Sequence, residues 1–137
     1  DPKTYKTVSF LDPRRGQPLR VYDVNSKKTE VSYDALGRTT QVWLPNRASG
    51  SQAPNQKFAY HLDNTKASWV SSSSLKNDGE TYNTTYALYD ALLRPLQSQS
   101  PTPNGGRLLT DTRYDTRGLA YETHADIFDN TSPPNGT

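Results

Sequence analysis

A phenol, a carboxylate and a guanidinium lie within six residues in "YDALGR", as Tyr33, Asp34 and Arg38. Such a set could move a proton or hold a ligand. Parts of it recur as Tyr89, Asp90 and Arg94 in "YDALLR", and as Tyr114, Asp115 and Gly118 in "YDTRGL". Other carriers of chemistry are few. His61 and His124 are the only histidines, and neither has metal-ligand spacing such as H-x-x-x-H. No "GxSxG" is present, although a Ser–His–Asp set assembled from distant positions stays open. "PNGGR" is a turn signal rather than a phosphate loop. With no cysteine, neither disulfides nor thiolate metal sites can form. No metal or cofactor is expected.

The same residues read more simply as a way of turning the chain. A type I turn followed by a left-handed residue is a common hairpin connection. Asp suits its first position because the carboxylate accepts backbone N–H groups inside the turn. Gly suits the left-handed position, which a Cβ disfavours. "DALG" (Asp34 to Gly37) and "DTRG" (Asp115 to Gly118) fit. Tyr33 would end one strand, and Arg38 would begin the next and pair with a carboxylate or stack on a tyrosine. Leu93 replaces the glycine in the second copy, which predicts a different turn type there, since leucine in the left-handed region costs about 1–2 kcal/mol. Leu119 replaces the arginine in the third.

The elements that would position these turns are strands. Apolar residues alternate: Val8 with Phe10, Leu19 with Val21, Val31 with Tyr33, Val42 with Leu44, Phe58 with Tyr60 and Leu62, Tyr82 with Tyr86 and Leu88. Between them stand "DPRRG", "DVNSK", "NDG" and "PTPNGG". Roughly eight to ten short strands and little or no helix are expected, as an all-β, antiparallel, hairpin-rich meander. One segment, 1–137, would hold strand groups at about 3–44 and 57–124, a loop at about 45–56 and a C-terminal linker at 125–137. The polar run 71–78 reads as a second irregular stretch, with "SWV" before it favouring a strand that leaves the sheet.

Composition agrees with a thin sheet. The 137 residues are 31% hydrophobic, against ~45–50% in ordinary domains. Nine Tyr, three Phe and two Trp argue against disorder. Net charge is +2 and the basic residues are scattered, so no nucleic-acid partner is expected. No apolar run is long enough to expect membrane insertion by a helix.

"VYDVNSKKTEVSYDALGRTTQVWLP" resembles the RHS or YD-repeat family (rearrangement hot spot; tyrosine–aspartate repeats). The family unit runs from a "D-x-N-G" turn to "T-x-x-x-YD-x-x-GR". Asp23, Asn25, Thr29, Tyr33, Asp34, Gly37 and Arg38 follow that layout, with Ser26 where glycine is commoner. The resemblance is strongest over 19–45, good over 86–124 and weak over 1–18 and 46–80. The block "YALYDALLRPLQSQSPTPNGGRLLTDTRYDTRGL" resembles actinobacterial members in particular.

The resemblance implies β-hairpins in a long sheet that spirals into a hollow shell, of which this chain would be a strip cut from a longer protein. Such shells occur in bacterial polymorphic toxins, insecticidal toxin complexes and teneurins. The "PxxxxDPxGL"-type self-cleavage motif of the toxins is absent, so neither autoproteolysis nor toxin activity carries over. What is implied is a structural wall without catalysis of its own, extracellular or at the cell surface. Its partners would be the rest of the parent chain and an encapsulated cargo, and the YD residues would be fold-makers. A carbohydrate-binding or adhesion module is the alternative, with Trp43, Trp69, Tyr60, Tyr82 and Tyr86 as a glycan platform; the plainer reading of these rings is that they cover a neighbouring layer. A calcium-stiffened module would need carboxylates to converge near "DNT" at 63–65 and 129–131.

Overall fold

A computed structural model describes residues 6–137. Ten strands occur: β1 (Val8–Leu11), β2 (Pro18–Tyr22), β3 (Lys28–Tyr33), β4 (Thr39–Trp43), β5 (Gln56–His61), β6 (Ser68–Leu75), β7 (Tyr82–Tyr89), β8 (Pro95–Pro101), β9 (Arg107–Tyr114) and β10 (Ala120–Asp129). They form an antiparallel meander in which each strand pairs with its neighbours in sequence. No helix occurs among the described residues. The expected hairpin-rich all-β fold is therefore present. Residues 3–5, the expected start of the first strand, lie outside the described residues.

Two expected boundaries differ. Residues 71–75, part of the run 71–78 read as irregular, belong to β6. Serines give no apolar alternation to read, yet they pack closely in a sheet: Ser71 is buried and the Ser73 and Thr84 hydroxyls hydrogen-bond at 2.8 Å. Residues 125–129, placed in the linker, are the last part of β10. The register shifts between His124 and Ile127, and Asp126 takes a φ of 57°. This bulge breaks the alternation on which the strand would have been recognised.

Contacts divide the chain into two compact units, 1–58 with 74–81, and 59–73 with 82–137. In the first, Trp43 is buried at 8% exposure and its indole Nε1 donates to the Gln52 carbonyl at 3.0 Å. That bond folds the 44–55 loop back on the end of β4. Asn55 completes the closure, its Oδ1 accepting from Leu44 N–H and its N–H donating to the Val42 carbonyl. In the second unit Leu88 is the buried large apolar side chain, at 5% exposure. No other large apolar side chain is buried among the described residues, while Phe10, Leu11, Leu36, Leu92, Tyr121 and Phe128 are all more than half exposed.

Because so little apolar area is buried, one ring should dominate. Trp43→Ala is expected to lower unfolding stability by about 3–5 kcal/mol in urea titration. Leu36→Ala, at 74% exposure, should change it by less than about 0.5 kcal/mol.

Candidate functional site

The YD residues build turns of one construction, at residues 23–27, 34–38, 90–94 and 115–119. In each, the first N–H donates to the fifth carbonyl, at 3.0, 2.9, 3.1 and 2.9 Å. The fourth N–H donates back to the first carbonyl, at 2.9, 3.0, 2.9 and 2.9 Å. The aspartate Oδ1 then accepts from the third and fifth N–H groups: Asn25 and Lys27, Leu36 and Arg38, Leu92 and Arg94, Arg117 and Leu119, all between 2.8 and 3.0 Å. One carboxylate oxygen thus satisfies two backbone donors that would otherwise face inward at the turn.

The fourth residue is left-handed in every case: Ser26 at φ 58°, Gly37 at 80°, Leu93 at 58° and Gly118 at 81°. The expectation that the Leu93 turn would differ in type is therefore corrected. The Asp90 clamp and the β7–β8 pairing on both sides hold Leu93 in the conformation that its Cβ disfavours. Leu93 is 63% exposed, so packing does not account for it.

The second aspartate oxygen is also occupied. Arg38 Nε donates to Asp34 Oδ2 at 2.7 Å, and Arg94 Nε to Asp90 Oδ2 at 2.7 Å. In the third copy, which lacks the arginine at 119, Arg117 reaches Asp115 Oδ2 from inside the turn at 3.0 and 2.8 Å. Arg94 also lies over the Tyr114 ring, 4.4 Å from its centre, so both partners expected of this arginine are present at one position. The tyrosines tie down the neighbouring strand: Tyr33 Oη donates to the Pro18 carbonyl at 2.9 Å and Tyr114 Oη to the Pro95 carbonyl at 2.6 Å. Burial raises the Tyr33 pKa, which keeps the phenol a donor. Successive turns at one end of a unit also meet. Arg15 donates to the carbonyls of Asp34, at 2.7 Å, and Ala35, and Gln17 Nε2 donates to the Gly37 carbonyl at 2.7 Å.

The polar groups of Tyr33, Asp34 and Arg38 are thus engaged within the sheet. The backbone N–H of the fifth residue is the first cause holding the Asp34, Asp90 and Asp115 carboxyls below their ordinary values, with Arg38, Arg94 and Arg117 adding to it. The two "DNT" segments are turns as well. Asp63 Oδ1 accepts from Thr65 and Lys66 N–H, and Asp129 Oδ1 from Thr131 N–H. No group of three metal-ligating side chains converges among the described residues.

Of the five rings assigned to a glycan platform, Trp43 is buried with its N–H committed, and so offers no exposed face. Trp69 and Tyr86 do meet, edge to face at 5.1 Å, and His61 stacks on Trp69 at 5.3 Å and 24°. Tyr60 and Tyr82 are half-buried. His124, on an exposed strand, pairs with Glu122 at 2.9 Å.

Sequence reading missed two polar clusters. In the first unit Glu30, 6% exposed, lies between Arg20 and Trp43 in the strand register. It binds Arg20 Nε at 3.1 Å, Lys28 Nζ at 3.0 Å and the Ser49 hydroxyl at 2.7 Å, beside a recess of about 440 Å³ bordered by Phe10 and Leu19. The Ser49 hydrogen bond, then that from Lys28, lowers the Glu30 pKa. In the second unit Gln99 is fully buried. Its Nε2 donates to Gln97 Oε1 at 2.7 Å, Gln97 Nε2 donates to Asp111 at 2.7 Å, and Gln99 Oε1 accepts from Arg107 at 3.2 Å. Arg107 Nε in turn donates to Asp129 at 2.8 Å. The only sequence signal for this chain is that the side chains share a strand face at period two; a glutamine on a strand ordinarily reads as solvent-facing.

Fold and turns together define an antiparallel β-hairpin meander clamped by aspartates. Comparison with known proteins gives no matching family model and no matching curated protein.

Leu93→Gly should raise stability by about 0.5–1 kcal/mol, the relief of left-handed strain less the added freedom of the unfolded glycine. Gly37→Val should lower it by about 1–3 kcal/mol, since its Cβ would sit 3.2 Å from Gln17 Oε1 at a positive φ. Urea midpoints check both. The depressed carboxyls predict an acid limb. Their contribution is fully present above the unfolded aspartate value of ~3.9 and is lost as pH falls through the lower folded values. The urea midpoint should therefore be level from pH 7 to 5 and fall below pH 4, less steeply in Asp90→Asn.

Proposed function

We propose that this chain is a wall segment of an RHS/YD-repeat-type shell in a secreted or surface-displayed protein, enclosing or presenting another part of its parent chain, with no catalytic step of its own. The observation that carries this reading is the burial pattern. Among the described residues a ten-stranded meander holds only Trp43 and Leu88 as buried large apolar side chains and leaves large apolar groups on exposed strand positions. A sheet of that kind suits a barrier one layer thick, wetted or covered on both faces by material outside it. The YD turns support the reading because Tyr, Asp and Arg are spent on holding hairpins in line. Among the described residues β1 and β10 each pair on one side only, and edges of that kind ask for a further strand.

The test is electron microscopy of the chain extended by several hundred flanking residues of its parent. A hollow closed particle is the expected result. A compact bead, together with saturable glycan binding that Trp69→Ala abolishes, would replace the wall with an adhesion module.

A further inference from the structure

We propose that the face of the second unit formed by β6–β9 is a peptide-binding site, filled in this structure by the chain's own residues 135–137, and that residues 130–137 are a releasable strap. The occupant is read by side chains of the buried Gln99 network. The buried Gln99 amide treats it as a neighbouring strand would. Its Nε2 donates to the Thr137 carbonyl at 2.7 Å, and its Oε1 accepts from Asn135 N–H at 3.1 Å and Gly136 N–H at 3.4 Å. Arg107, with 13% of its side chain exposed, donates to Asn135 Oδ1 at 2.8 Å and to the Thr137 carbonyl at 2.9 Å. Asn135 Oδ1 also accepts from the N–H and hydroxyl of Thr137, at 3.0 and 2.6 Å, which fixes the curl of the segment.

The site has shape as well as polarity. Gly136 is buried, at φ 76°, and a Cβ there would lie 3.0 Å from Trp69 Nε1. The Trp69 indole, braced by His61 and Tyr86, therefore selects glycine at this position. The approach is built in too. A Cβ on Gly106 would stand 2.5 Å from the Asp129 carbonyl oxygen and 2.9 Å from Asn130 Cα, so the chain leaves β10 directly over that glycine. Pro133 and Pro134 then limit the freedom that the strap loses on docking. The ligand class is an extended peptide carrying Asn-Gly followed by a residue whose carbonyl meets Gln99 and Arg107. Apart from Gly136 on the half-buried ring, these contacts are hydrogen bonds to main-chain or short polar groups of the strap, and such contacts can be exchanged without unfolding the sheet.

The experiment uses the whole chain and its Gly136→Val variant, read by amide exchange in nuclear magnetic resonance. The amides of Asn135 and Gly136 should be protected in the original chain and exchange at least about tenfold faster in the variant, with the β7–β9 amides unchanged. A synthetic peptide of sequence NTSPPNGT, added to Gly136→Val, should then shift the Trp69 indole N–H resonance saturably. The same peptide with valine for its glycine should not, and Gln99→Ala combined with Gly136→Val should lose the response. Equal exchange in the original chain and Gly136→Val would overturn the strap. Failure of the NTSPPNGT peptide to bind the variant, with its sheet intact, would overturn the site.

Discussion

The structure depends on a carboxylate oxygen that accepts two backbone N–H groups across five residues. Four hairpin ends have donors that point into the turn, and Asp23, Asp34, Asp90 and Asp115 satisfy them through Oδ1. In a protein with a thick core such turns are accessories. Here they carry much of the register, because little apolar surface is available to align one strand on the next. Leu93 shows the strength of the constraint: the clamp and the paired strands impose a left-handed backbone on a residue that resists it.

What the sheet lacks in apolar packing it replaces with closed polar networks. Glu30 and Gln99 are both buried and both fully partnered. A buried polar group adds little net stability when satisfied but costs ~1–3 kcal/mol when left alone, so each network penalises any register other than its own. Tyrosine serves the same economy of material. Its ring covers the sheet, and its hydroxyl closes on the neighbouring strand's carbonyl, as Tyr33 does on Pro18 and Tyr114 on Pro95.

These features bear on function in one direction. Side chains that looked like chemistry, Tyr33, Asp34 and Arg38, are consumed by architecture. Side chains that the sequence does not single out, Gln99 and Arg107, converge on a segment of chain. Strands six to nine place an amide, a guanidinium and an indole around this segment and its one glycine.

The sequence alone determined whatever depends on neighbours within about five residues. Aspartate clamps, left-handed glycines and strand alternation are local, so the turns, the strand count and the all-β meander were legible in "YDALGR" and its kin. It did not determine the turn at Leu93, because the forces that override leucine's preference come from paired strands. Nor did it determine that Ser71–Ser74 lie within a strand, that a bulge carries β10 on to Asp129, or that Trp43 is buried under its loop. Gln99 reaches Asn135 and Thr137 across more than thirty-five residues, and Arg107 reaches them across twenty-eight and thirty. Only the tertiary structure decides such contacts, because a polar side chain on a strand carries no local sign of whether water or another part of the chain will meet it.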